Sequence, residues 1–115
     1  MSELLRRLAW LKAAQKEFET FPPEVQEDEL MALNVAARGR KAETAKPFKG
    51  VDGGVFEIAL KHRGDAFRAI YAVQIGNAVW VIDAFQKKSK SGIKTPKVDV
   101  DRIKERLKRL KEALR

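Results

Sequence analysis

Three runs rich in β-branched and aromatic residues, VFEIAL (55–60), AFRAIYAVQI (66–75) and AVWVIDAF (78–85), follow one another with only KHRGD and the pair Gly76-Asn77 between them. Connections this short join neighbouring strands as hairpins, whereas a parallel crossover takes about a dozen residues or more. The sequence therefore predicts a three-stranded antiparallel meander, around which the rest of the chain must pack.

Alternation along the middle strand sends Phe67, Ala69, Tyr71, Val73 and Ile75 to one face and Arg68, Ile70, Ala72 and Gln74 to the other. The first face reads as core. The second is mixed and carries an arginine.

Helical periods flank the meander. From Glu3 to Phe18, Leu4, Leu8, Leu11 and Phe18 recur at spacings of four, three and seven, with Ser2 as a candidate N-cap and Pro22-Pro23 closing the segment. Glu24 to Arg38 reads as a second helix, acidic early and followed by Gly39 at the C′ position. The two are expected to form a helical hairpin through the Pro-Pro turn. At the other end, DVDRIKERLKRLKEALR places Ile103, Leu107, Leu110 and Leu114 on one stripe behind Asp99 or Asp101 as N-cap, with lysine and arginine on the outer face. The fold class expected is α+β: two N-terminal helices, a three-stranded antiparallel sheet and a C-terminal helix.

At 115 residues and 44% apolar composition the chain can bury one core but not two, so residues 1–115 are expected to form a single domain. It has no cysteine, which excludes disulfides, thiolate metal sites and a cysteine nucleophile. No signal-peptide pattern opens the sequence and no stretch approaches the length of a membrane span, so a cytoplasmic protein without membrane association is expected.

Charge is uneven. Residues 1–82 carry twelve basic and eleven acidic side chains and residues 83–115 twelve and five, so almost all of the net +8 lies in the last third. Such a field favours polyanions: RNA, DNA, an anionic membrane or an acidic protein.

One histidine, His62, without carboxylates at ligand spacing gives no case for a metal site. There is no Walker loop, GxGxxG fingerprint or serine elbow, so no cofactor is expected. What remains is a set of cations beside aromatics: Lys61, Arg63, Arg68, Tyr71, Lys87, Lys88, Lys90 and Lys94, the last four cations in FQKKSKSGIKTP (85–96). Arginine and lysine stabilise the extra negative charge of a pentacoordinate phosphorane. RNA brings its own nucleophile, the 2′-hydroxyl, so a protein need supply only a base, an acid and charge stabilisation. A lysine crowded by cations has its pKa lowered towards that of a base, and a tyrosine can stack on a base or donate a proton. Against this stands the plainer reading: a solvated loop, Arg68 paired with Asp65 or Glu57, and Tyr71 in the core.

The order of elements, GGVFEI, and FRAIYAV leading through a Gly-Asn turn into VWVIDAFQKKSKSGIKTP resemble the HigB-like, phage-derived branch of the RelE/ParE superfamily of type II toxins. The similarity spans essentially the whole chain. It implies a RelE-like fold, an mRNA interferase that cuts mRNA at the ribosome, and a cognate helix-turn-helix (HigA-like) antitoxin as partner. By position it implies catalytic roles for Arg68, Tyr71, Lys87 and Lys88, and RNA contacts for Lys61, Arg63, Lys90 and Lys94. Two departures stand out: Glu57 and Ala59 replace lysines of the RelE type, and Asp83 replaces a histidine common in HigB-like members. The general base then falls to Lys61, Lys87, Lys88 or the ribosome, while Glu57 and Asp83 are expected to orient the cations Arg68 or Lys87. A ParE-like topoisomerase inhibitor and an inactive antitoxin-binding remnant are the alternatives.

Overall fold

In the computed structural model, which describes residues 5–51, 53–87 and 95–114, the meander is the centre of a larger sheet. The chain runs β1 (Arg7–Trp10), α1 (Lys12–Phe18), α2 (Pro23–Ala37), β2 (Ala45–Pro47), β3 (Val55–His62), β4 (Asp65–Ile75), β5 (Ala78–Lys87) and α3 (Lys97–Ala113). The sheet has five strands in the order β1-β5-β4-β3-β2, with β1 parallel to β5 and the other pairs antiparallel.

This corrects the three-stranded, wholly antiparallel expectation at both edges. Arg7–Trp10 is a strand instead of the middle of a helix. Leu8 and Trp10 fit either period, and the open edge of β5 decides: a long apolar edge strand is a pairing site that β1 covers. The helix that follows keeps only Lys12–Phe18. β2 is three residues, AKP, within a polar link, and its proline is tolerated because the strand lies on the outer edge.

Within the meander the expected hairpins form. His62 faces Asp65 across a two-residue turn in which Arg63 (φ 51°) and Gly64 (φ 87°) are both left-handed, the backbone of a type I′ turn. α2 ends as Gly39 predicts: at φ 83° it donates to Ala36 O while Arg40 donates to Val35 O, a Schellman pair that satisfies two of the last carbonyls.

Both faces of the sheet are covered. On one, Ala32, Leu33, Ala36 and Ala37 of α2 and Ala14 of α1 pack on Ile58, Ala69, Tyr71, Val79 and Val81. Phe18, Phe21 and Val25, which bracket the link between α1 and α2, extend that layer onto Phe67. On the other, Ile103, Leu107 and Leu110 of α3 pack on Ile70, Ala72, Ile82 and Phe85. Each such aliphatic side chain contributes roughly 2 kcal/mol of burial. Leu114, at the end of the expected stripe, is 49% exposed and takes no part in the core. α3 also begins earlier than either aspartate, with Pro96 at its N-cap.

A bulge in β5 serves both layers. Ile70 faces Asp83 but Tyr71 faces Val81, so Ile82 is the extra residue, and it joins Asp83 on the α3 side. Among the described residues no helix is long and apolar enough to cross a membrane.

Candidate active site

The strand registers set side chains on the α3 face in rows. Lys61, Ala66 and Lys87 lie directly across from one another, then Ala59, Arg68 and Phe85, then Glu57, Ile70 and Asp83, and Lys46 of β2 extends the last row beyond Glu57. Four cations and two carboxylates therefore share one end of one sheet face.

Glu57 is the hub. Its carboxylate, 3% exposed, accepts a hydrogen bond from the Arg68 guanidinium, lies 3.8 Å from Lys46 Nζ and is 3.5 Å from Thr95 Oγ1 at the approach to α3. Arg68 is itself 7% exposed, and its Nε has no acceptor among the described residues. A buried carboxylate beside a buried guanidinium satisfies a charge that neither could carry alone. The pairing expected of Glu57 with Arg68 is thus present, by a diagonal contact between neighbouring strands.

Lys87 closes the site from β5, and its side chain is buried as well. Its pKa is lowered from the usual lysine value by burial first, then by the Arg68 charge and that of Lys46, with Glu57 opposing. These are the conditions under which an amine becomes a usable proton acceptor.

Asp83 turns the other way. Fully buried, it takes two hydrogen bonds from Arg102, of 2.8 and 3.1 Å, and lies 3.2 Å from Arg106 Nη1. Burial pushes its carboxyl up against the pull of Arg102 and Arg106, and the same bond pushes Arg102 up; the two-point, two-cation geometry holds the pair ionised. Arg102 also lies over the Phe85 ring at 5.6 Å. Asp83 therefore fastens α3 to the bulge and does not pair with Arg68 or Lys87.

Tyr71 is not brought to this site. Three residues from Arg68 on one strand is an odd number, so its side chain lies on the α2 face, 1% exposed and stacked on Phe56 at 5.4 Å. Burial pushes its hydroxyl up to about 12. Lys61 and Arg63 are exposed at the β3–β4 end, Lys61 in the same cross-sheet row as Lys87 with Ala66 between them. Lys88, Lys90 and Lys94 lie outside the described residues.

Four residues escaped the sequence reading. Lys46 sits in a strand too short to announce itself. Arg102 and Arg106 looked like outer-face helix charge, although an aspartate in the apolar run VWVIDAF implies a buried cation facing it. Glu29, on α2, is completely buried, neither carboxyl oxygen has a hydrogen-bond partner among the described residues, and burial pushes its pKa up to about 9 against the pull of Arg68. Among the described residues no three His, Cys, Asp or Glu side chains are grouped to hold a metal ion.

Comparison with known proteins bears on the fold and on the family. A mutant of the Escherichia coli toxin RelE in the free state superposes with a TM-score of 0.63 at 19% identity, over 91% of this chain and 97% of that one, which shows a RelE-like α+β fold. The RelBE2 toxin–antitoxin complex from Mycobacterium tuberculosis gives a TM-score of 0.49 at 14% identity, over 76% and 98% of the two chains. No curated protein matches. The model of the family described as phage-derived protein Gp49-like matches residues 16–108, so this chain, with its cation-lined sheet face, belongs to the phage-derived Gp49-like family.

Proposed function

We propose that this protein is the toxin of a type II toxin–antitoxin module, of the HigB-like branch, and that it inhibits translation by cutting mRNA at the ribosome. The observation that supports this most is the placement of Arg68 and Lys87 on one sheet face with Lys61 beside them, in a protein with the fold of a RelE toxin.

Lys87, its pKa lowered, takes the proton of the 2′-hydroxyl as that oxygen attacks phosphorus. Arg68 stabilises the added charge of the phosphorane. The bond from phosphorus to the 5′-oxygen then breaks, and that oxygen takes up a proton from water, leaving a 2′,3′-cyclic phosphate. Lys61, Arg63 and the lysines of residues 88–94 hold the RNA backbone.

The partner in this reading is a cognate helix-turn-helix antitoxin of the HigA type, held against the basic surface with help from opposite charge. The test is mRNA cleavage in a translating extract by the wild type, Arg68→Lys and Lys87→Met, alongside growth on induction without antitoxin. Cleavage by the wild type that both variants retain in full would remove this face from the mechanism.

One observation favours a second reading. Arg68 is buried and already paired with Glu57, as in an ion pair that serves only the fold. A ParE-like inhibitor that binds a topoisomerase would need no more. Loss of gyrase supercoiling with intact mRNA would support that reading over the first.

A further inference from the structure

Arg68 is not freely offered to a phosphate: Glu57 holds it, and an incoming anion has to compete with that carboxylate. If Arg68 turned away, Glu57 would be left buried without its main partner, at a cost of several kcal/mol. The structure supplies a second holder. Lys46 stands directly opposite Glu57 in the β2–β3 register, its Nζ is 3.8 Å from Oε1 while Arg68 occupies Oε2, and its side chain is 55% exposed.

We infer that Lys46 is a positioning residue of the Arg68 site: it holds Glu57 when a phosphate engages Arg68, and so sets the affinity of the site for a phosphodiester. This rests on the reading of the sheet face as a phosphodiester site. The two carboxylate oxygens make the exchange feasible without moving the backbone. One oxygen loses its bond to Arg68 as the other draws in Lys46, so the carboxylate keeps a cation beside it. The edge position of β2 leaves the lysine free to close a gap slightly longer than a hydrogen bond.

The same position gives Lys46 a second effect. Lys87 shares one end of the sheet face with Arg68 of β4, Glu57 and Lys61 of β3 and Lys46 of β2, and the Lys46 charge adds to the repulsion that disfavours its ammonium form. Removing Lys46 therefore both weakens the site for anions and returns Lys87 towards an ordinary lysine.

The experiment is a double-mutant cycle with a short 2′-O-methyl oligoribonucleotide, which lacks the nucleophile and is bound without being cut. Lys46→Met weakens binding about fivefold, and Lys46→Arg restores it. In a Glu57→Gln background, where no carboxylate needs holding, Lys46→Met has no effect. An equal loss in both backgrounds would mean that Lys46 meets the RNA directly, and would overturn the inference while leaving the site intact. Binding that Arg68→Lys does not alter would instead refute the reading of the face itself, and the inference with it. A second measurement does not depend on Glu57→Gln folding or on RNA: the Lys87 pKa, followed by NMR of its side chain, rises in Lys46→Met and returns in Lys46→Arg. A Lys87 pKa indifferent to Lys46 would contradict the proposed proximity.

Discussion

Glu57 and Arg68 are diagonal neighbours on β3 and β4, and the carboxylate of the first accepts a hydrogen bond from the guanidinium of the second where both are almost wholly buried. Breaking such a pair costs more than the pair contributes, because one charge is left without water or a partner. Arg68→Ala should therefore lower the unfolding free energy by about 3 kcal/mol in urea titration, and Arg68→Lys by less. A loss below about 1 kcal/mol would show that Glu57 finds another cation. Stability must accordingly be measured before any loss of activity in Arg68→Ala is assigned to chemistry.

Asp83 plays the corresponding part for α3. It meets Arg102 and Arg106, one turn apart on the helix, from a bulge that turns two successive residues of β5 towards it. Asp83→Ala leaves Arg102 with Asp99 and Arg106 with the Ile82 carbonyl, removes their tie to the sheet carboxylate, and should loosen α3 before the sheet. Hydrogen exchange would show it: amides around Ile103 and Leu107 lose protection by about tenfold or more while those of β4 change little. Uniform loss across β4 and α3 would mean that the helix and sheet open as one unit.

Glu29 makes stability depend on pH in a direction opposite to that of ordinary acid unfolding. Its carboxyl has a folded pKa of about 9 against an ordinary value of 4.5, so the folded state keeps a proton that the unfolded chain releases between those limits. Its contribution is full below pH 4.5 and is lost as pH rises towards about 9, at up to 1.4 kcal/mol per pH unit, roughly. Glu29→Gln should remove that slope and stabilise the protein at pH 8 relative to pH 5. A wild-type stability that is flat between these pH values would refute a neutral, buried Glu29.

The central hairpins and α3 were legible because each rests on a local signal. Gly39 marks the end of α2, the Arg63-Gly64 turn joins β3 to β4, and Ile103, Leu107 and Leu110 keep helical spacing. The edges of the sheet were not legible: Leu8 and Trp10 satisfy two periods, and what chooses the strand is the distant edge of β5. The site was half legible for the same reason. Residue parity places Arg68 and Tyr71 on opposite faces from sequence alone, whereas the approach of Lys46 to Glu57 requires β2, which three residues cannot signal.

That parity gives a direct test. The described residues form no hydrogen bond with the Tyr71 hydroxyl, which borders a cavity of about 260 Å³ lined also by Arg6, Phe56 and Val73. Tyr71→Phe should leave mRNA cleavage at the wild-type rate and change stability by less than about 1 kcal/mol. A tenfold fall in cleavage with unchanged stability would mean that the hydroxyl reaches the reaction after all, against the side the strand gives it.

Arg63 separates fold from function most cleanly. At φ 51° it occupies a left-handed position that asparagine tolerates better than arginine does, and its side chain is exposed. Arg63→Asn should raise the unfolding free energy by about 0.5 kcal/mol, since it relieves the backbone without disturbing a contact. A charge kept in an unfavourable conformation is then explained only if it serves binding. The same variant should lose affinity for RNA at low salt and approach the wild type as salt is raised, with the slope of log affinity against log salt reduced by about one. If Arg63→Asn gains stability and keeps both affinity and slope, Arg63 is simply a turn residue, and the RNA track begins at Lys61.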